Sequence, residues 1–176
     1  MFTRKTLLAV GAAFVVWHGA ALAESPNLGK VASPEEIASW DITIGPDGAG
    51  LPAGGGTPQQ GEQIYVAKCL GCHGEKGAGK PNDRLVGGQE LLAPGQAPVK
   101  TVGNFWPYAT TVFDYVRRAM PLNEPKSLSD DEVYAVVAYI LWLNGVIGEN
   151  DTMDAGTLPA VQMPNRDGFV RFSRGR

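Results

Sequence analysis

Residues 69–73 read Cys-Leu-Gly-Cys-His. Two cysteines, two spacers and a histidine form the attachment sequence of a c-type haem. In that reading the sulfurs of Cys69 and Cys72 bond covalently to the macrocycle edge and His73 ligates iron on one face. A chain carrying such a group can place it at the centre of its core, so a small helical domain with long loops becomes feasible where protein atoms alone would bury too little surface. Two rivals use the same residues. A thioredoxin-type CxxC pair follows a strand in a βαβ pattern, and no such pattern surrounds residue 69. A structural zinc site needs four ligands, and the chain has only these two cysteines and no second Cys/His cluster.

The first 23 residues read as an export signal. Arg4 and Lys5 precede the apolar run TLLAVGAAFVVW, and Ala-Leu-Ala at 21–23 has the small-x-small form of a cleavage site. The run is short for a membrane span, so no stable span is expected after cleavage. The 23 residues hold two of the 15 basic residues and none of the 18 acidic ones. Their removal leaves 13 basic against 18 acidic residues, a formal charge of −5. That balance excludes nucleic-acid binding by charge. The segment also contains His18, so its removal leaves His73 as the remaining histidine.

Beyond the signal, residues 24–56 form an arm rich in Pro and Gly, in which SWDITI (39–44) has strand-like alternation and Trp40 is an expected anchor. The compact domain is expected over 57–148. Thr57 suits an N-cap and Pro58 the first position of a helix running into the haem motif. Gly61 inside that helix costs stability unless another backbone approaches it. A second helix is expected over 109–119, where Val112, Phe113, Val116 and Ala119 share a face and Pro121 follows. A third is capped by Ser129, carries Asp130, Asp131 and Glu132 in its first turn, and presents Val133, Val136, Val137, Ile140 and Leu141 on one face before Asn144–Gly145. Residues 149–176 read as a polar tail. The fold class is all-α around one haem.

An open sixth iron position means gas binding or catalysis, and a filled one means electron transfer. With a second histidine excluded, the candidate thioethers are Met120, Met153 and Met163. Met120, the expected ligand, lies 47 residues after His73 between two helices in RRAMPLNEP, where Pro121 and Pro125 stiffen the loop. Met163 is also followed by proline and is the competitor, and core filling is the alternative for any of the three.

The stretches CLGCH, RRAMP and SDDEVYAVVAYILWLNG resemble a class I cytochrome c. The stretch PVKTVGNFWPYATTVFDYVRRAMP, the helix SLSDDEVYAVVAYILWLNGVI and the tail MDAGTLPAVQMPNRDGF narrow the resemblance to SoxD, the cytochrome subunit of bacterial sulfane dehydrogenase, and to related sulfite dehydrogenase cytochromes. SoxD is often described as having two haems, whereas this sequence has one CxxCH, so a single-haem form is expected. The resemblance implies that Gly61 and Tyr65 meet the C-terminal helix at a close crossing, and that a carbonyl near the motif, with that of Pro81 as candidate, accepts from His73. It further implies a periplasmic electron-transfer subunit partnered by a molybdenum-containing dehydrogenase and passing electrons to a downstream periplasmic acceptor. The alternatives are a freely diffusing carrier and a haem enzyme with an open distal site.

Arg84, Trp106 and Tyr108 are candidate donors to haem propionates, while Arg117 and Arg118 can be simple surface charges. The two arms, with Trp40, Ile42, Ile44 and Leu51 on one and Leu158, Val161, Met163 and Phe169 on the other, are expected to wrap the partner. The competing expectation is that they cover their own domain.

Overall fold

The structure is a computed structural model describing residues 28–88, 97 and 99–169. The expected export signal, with His18, lies outside the described residues. The chain divides into two compact units, one up to Ala38 and one from Ser39 onward. Helix α1, Pro34–Trp40, runs across that boundary and buries none of its residues. The strand-like reading of 39–44 is therefore corrected: Ser39 and Trp40 end a helix, and residues 41–44 have no regular structure. Trp40 is 74% exposed, so it is no deep anchor.

The second unit is helical, as the sequence pattern requires. Helix α2, Pro58–Lys68, starts on a reciprocal cap in which the Thr57 hydroxyl accepts from Gln60 N and the Gln60 side chain accepts from Thr57 N. The one-turn α3, Leu70–His73, carries the haem motif. Helix α4, Ala109–Ala119, buries Val112, Phe113 and Val116 and stops at Met120. Helix α5, Asp130–Leu143, has the same kind of cap from Ser129 and Glu132 and buries nine consecutive residues from Val133 to Leu141. Gly145, at φ +68, ends it. The only sheet among the described residues is a pair of two-residue strands, β1 (Gly55–Gly56) and β2 (Met153–Asp154), which are antiparallel. No described helix is long and apolar enough to cross a membrane.

The largest packing interface joins α2 and α5. It is built on a backbone contact: a Cβ placed on Gly61 would collide with the carbonyl oxygen of Ala135, and would lie 2.5 Å from its carbon and 2.8 Å from Tyr139 Cβ. One turn on, Tyr65 packs its ring on Tyr139 at 5.3 Å. This is the close crossing that the resemblance implied.

Within the second unit, parts of both arms pack into the core. Ile44, Met153, Leu158, Val161 and Met163 are all buried in the main core cluster. Pro46 O accepts from Thr110 Oγ1 at 3.5 Å, and Asn165 Nδ2 donates to Phe105 O at 2.8 Å. The expectation that these apolar residues are kept for a partner is corrected. The helices alone leave the outer faces of α4 and α5 uncovered, and burying arm side chains there offsets the entropy of ordering the arms.

Two predictions follow from this packing. Gly61→Ala is expected to destabilise the domain by about 2–3 kcal/mol, the upper end for overpacking because the opposing atoms are backbone and cannot rotate away; denaturant unfolding measures it, and an unchanged midpoint contradicts the crossing. Tyr134, fully buried and donating to Pro52 O at 2.9 Å, has its phenol pushed by burial from 10.0 up to about 12, with Asp154 and Asp130 adding to the rise. Its neutral form thus stabilises the fold fully below pH 10, and that contribution is lost as pH climbs toward 12. Unfolding free energy measured across that range is expected to fall, and less steeply in Tyr134→Phe.

Candidate functional site

The end of α2 delivers Cys69, whose N–H donates to Tyr65 O at 2.8 Å. The next turn brings round Cys72 and His73, whose N–H groups donate to Cys69 O at 3.1 and 2.9 Å. Gly74 then reverses the chain at φ +74, a conformation suited to glycine. The reversal is held from both sides: Gly79 N donates to His73 O at 2.7 Å, and the buried Tyr65 hydroxyl donates to Gly74 O at 2.8 Å. Burial pushes that phenol up to about 12, so it stays a donor at neutral pH.

His73 Nδ1 lies 2.8 Å from Asp83 O. A carbonyl oxygen only accepts, so Nδ1 carries the proton and Nε2 keeps its lone pair for a metal. The expected acceptor, the carbonyl of Pro81, is replaced by one two residues further on. The turn closed by Lys80 N to Asn82 O at 2.8 Å and by Asn82 N to Cys72 O at 2.9 Å carries the chain past the ring before a free carbonyl reaches it.

Cys69, Cys72, His73 and Met120 line one cavity of about 620 Å³. Its walls are mostly apolar, with Val112 and Val116 from α4 and Val136 and Ile140 from α5. Cys72 is exposed and Cys69 is partly buried. Burial, and then the neighbouring Cys72, push the Cys69 thiol up to about 11. Two thiols, an imidazole lone pair and a thioether around an apolar cleft form a donor set that fits a c-type haem. Met153 and Met163, by contrast, are 4% and 3% exposed within the protein core and do not line the cavity.

A family model described as cytochrome c oxidase, cbb3-type, subunit III matches residues 56–140. The chain is also similar to a chain in the crystal structure of the sulfane dehydrogenase SoxCD from Paracoccus pantotrophus. The two are 38% identical with a TM-score of 0.77, over 85% of this chain and 74% of that one. The chain belongs to the SoxD-like c-type cytochromes. Among curated proteins, this SoxD-like cytochrome is 28% identical over 130 residues to a thiosulfate dehydrogenase of Allochromatium vinosum, and 32% identical over 91 residues to one of Stutzerimonas stutzeri. It spans 42% and 28% of the lengths of those two relatives. Membership in this family relates the chain to sulfur-oxidising oxidoreductases and implies haem c and electron transfer.

The polar side of the cytochrome's cavity differs in detail from the sequence expectation. Arg84 and Trp106 line it. Tyr108 does not; its ring lies 4.9 Å from the Arg166 guanidinium. Lys100, which sequence reasoning passed over, lines the cavity as well and lies 4.7 Å from the Phe105 ring centre. Arg117 and Arg118 are paired at 2.9 Å with Asp130 and Asp114, the surface role considered for them. A second group that sequence reasoning missed is amidic. Asn144 accepts from Gly87 N at 3.1 Å and donates to Leu85 O at 3.2 Å and to Ile140 O at 2.8 Å. Asn104 donates to Gly88 O and Val99 O at 2.7 Å each. Together they fasten the wall that carries Arg84 and Leu85. The Asn-Gly helix stop was the available signal for Asn144, but two of its three side-chain partners lie 57 and 59 residues away.

Proposed function

We propose that this cytochrome is a periplasmic, single-haem electron acceptor and works as a subunit of a molybdenum-containing sulfane or sulfite dehydrogenase, handing electrons on to a downstream periplasmic carrier. In that role Cys69 and Cys72 would hold one haem c through thioether bonds, and His73 and Met120 would ligate its iron. The observation that carries the reading is the convergence of these four side chains on a single apolar cavity. When bound there, the haem supplies a reversible one-electron couple at iron. The protein's part is electrostatic and steric. Asp83 O fixes the tautomer and orientation of His73. The Met120 thioether favours Fe(II). Val112, Val116, Val136 and Ile140 keep water away and disfavour the extra charge of the oxidised state. Exposed Cys72 and Leu122 at the rim give a partner access to that edge. Export to the periplasm is supported by the signal-like sequence of residues 1–23.

The names of the two curated relatives favour a second reading, in which the chain itself oxidises thiosulfate. That chemistry needs an iron position open to substrate, and a Met120 ligand argues against it. Purified haem-loaded protein mixed with thiosulfate, sulfite or a sulfane donor separates the two. Reduction is expected only when the molybdenum-containing subunit is present and co-purifies. Reduction by thiosulfate without it favours the second reading, and wild-type rates without co-purification favour a free carrier.

The ligand assignment has its own measurement. Met120→Ala is expected to lose the far-red iron–thioether band, lower the potential and admit CO to the reduced protein. Met163→Ala is expected to cost about 2–5 kcal/mol of stability, as truncation of a core side chain does, with the band intact. The reverse pattern moves the ligand to Met163.

A further inference from the structure

Lys68 and Glu124 tie together two segments that are distant in sequence. Lys68 is the last residue of α2, immediately before Cys69, and Glu124 lies four residues beyond Met120. Lys68 Nζ and Glu124 Oε2 are 3.0 Å apart, and the two side chains are 44% and 50% exposed. Lys68 also lines the cavity, as do Pro121, Leu122 and Asn123 from the loop that Glu124 belongs to. That loop's own hydrogen bonds are local: Glu124 N donates to Pro121 O at 2.9 Å and Ser127 N to Glu124 O at 3.2 Å. The loop's two ends are held by Met120 and Leu128 packed against the core and by the Arg117–Asp130 pair between the flanking helices, while the turns fix only its shape. The ion pair adds a tie across the cavity to these anchors, because its other end sits beside the haem attachment residue. A weaker second tie is the approach of Lys126 Nζ to the Trp40 ring at 5.9 Å.

We propose that the Lys68–Glu124 pair is a latch that holds the Met120 loop closed and so sets how often the Met120 thioether leaves the iron. The inference rests on the reading of Met120 as ligand. A thioether is a neutral, weak donor, so its occupancy depends on where the backbone behind it is held. An exposed ion pair is screened by salt and its contribution is small, so the latch biases the closed state without locking it. Lys68 and Glu124 are positioning residues and touch no reacting atom.

The test uses the full haem-loaded chain. Lys68→Glu and Glu124→Lys each put like charges face to face, and the double exchange restores an opposite pair. The rate of CO binding to the reduced protein reads how often the iron position opens. Each single exchange is expected to raise that rate about two- to fivefold, the range that an exposed pair supports, and the double exchange to return it toward wild type. Added salt is expected to raise the wild-type rate and to leave the neutral variant Lys68→Met/Glu124→Gln unchanged. Single variants that bind CO at the wild-type rate, or a double exchange no closer to wild type than the singles, overturn the latch. Met120→Ala run alongside separates the two failures. If it admits CO freely while the charge variants do nothing, only the latch fails. If it leaves CO binding unchanged, the ligand reading has failed and the latch falls with it.

Discussion

The contact of the α2 and α5 backbones at Gly61 and Ala135 sets the geometry of everything else in this cytochrome. It fixes the line of α2, and so where Cys69 leaves that helix and where the turn carrying Cys72 and His73 begins. It also fixes the roll of α5, which presents Val136 and Ile140 to the cavity and buries Tyr134 and Leu141 away from water. A side chain at residue 61 would push the helices apart and move one cavity wall relative to the other. Distance matters here because a metal ligand has little tolerance in position.

Around that crossing, the parts of the site are held mainly by backbone groups. His73 is oriented by the carbonyl of Asp83, its own carbonyl is held by Gly79 N, and the turn after it is pinned by Tyr65. The carbonyls and amides that hold His73 do not titrate in the working range and carry no net charge for salt to screen. The Met120 side differs. Its helix is secured by core packing, but the loop beyond it is joined to α2 by an exposed ion pair. One face of the site is therefore rigid and the other adjustable.

The arms complete the domain. With Ile44, Met153, Leu158, Val161 and Met163 in the core, residues well outside the helical region bury apolar surface that the four core helices leave open. Apolar side chains stay exposed at Leu28, Val31, Ile37 and Trp40, at Val66 and Val99, at Tyr115 and Leu122, which line the cavity, and at Phe169 in the C-terminal arm.

The sequence by itself determined whatever depends on neighbours along the chain. Thr57, Pro58 and Ser129 mark helix starts because caps are satisfied within one turn. The apolar spacing in 109–119 and 130–143 marks helix faces because the helical period is local. The haem motif is legible because its residues lie within one turn of one another. Met120 stood out through its flanking prolines and its place between two helices, and the tertiary structure adds that it lines the cavity while Met163 is buried in the core, a difference decided by distant residues. The same holds for Asp83 replacing Pro81, for the Asn104 and Asn144 network and for Lys68 meeting Glu124. Each is a contact between segments whose separation in space depends on how the helices cross. The arm residues that reach the core were misread for that reason too. They have no regular period, because they fit a surface made by α4 and α5 and not a repeat of their own.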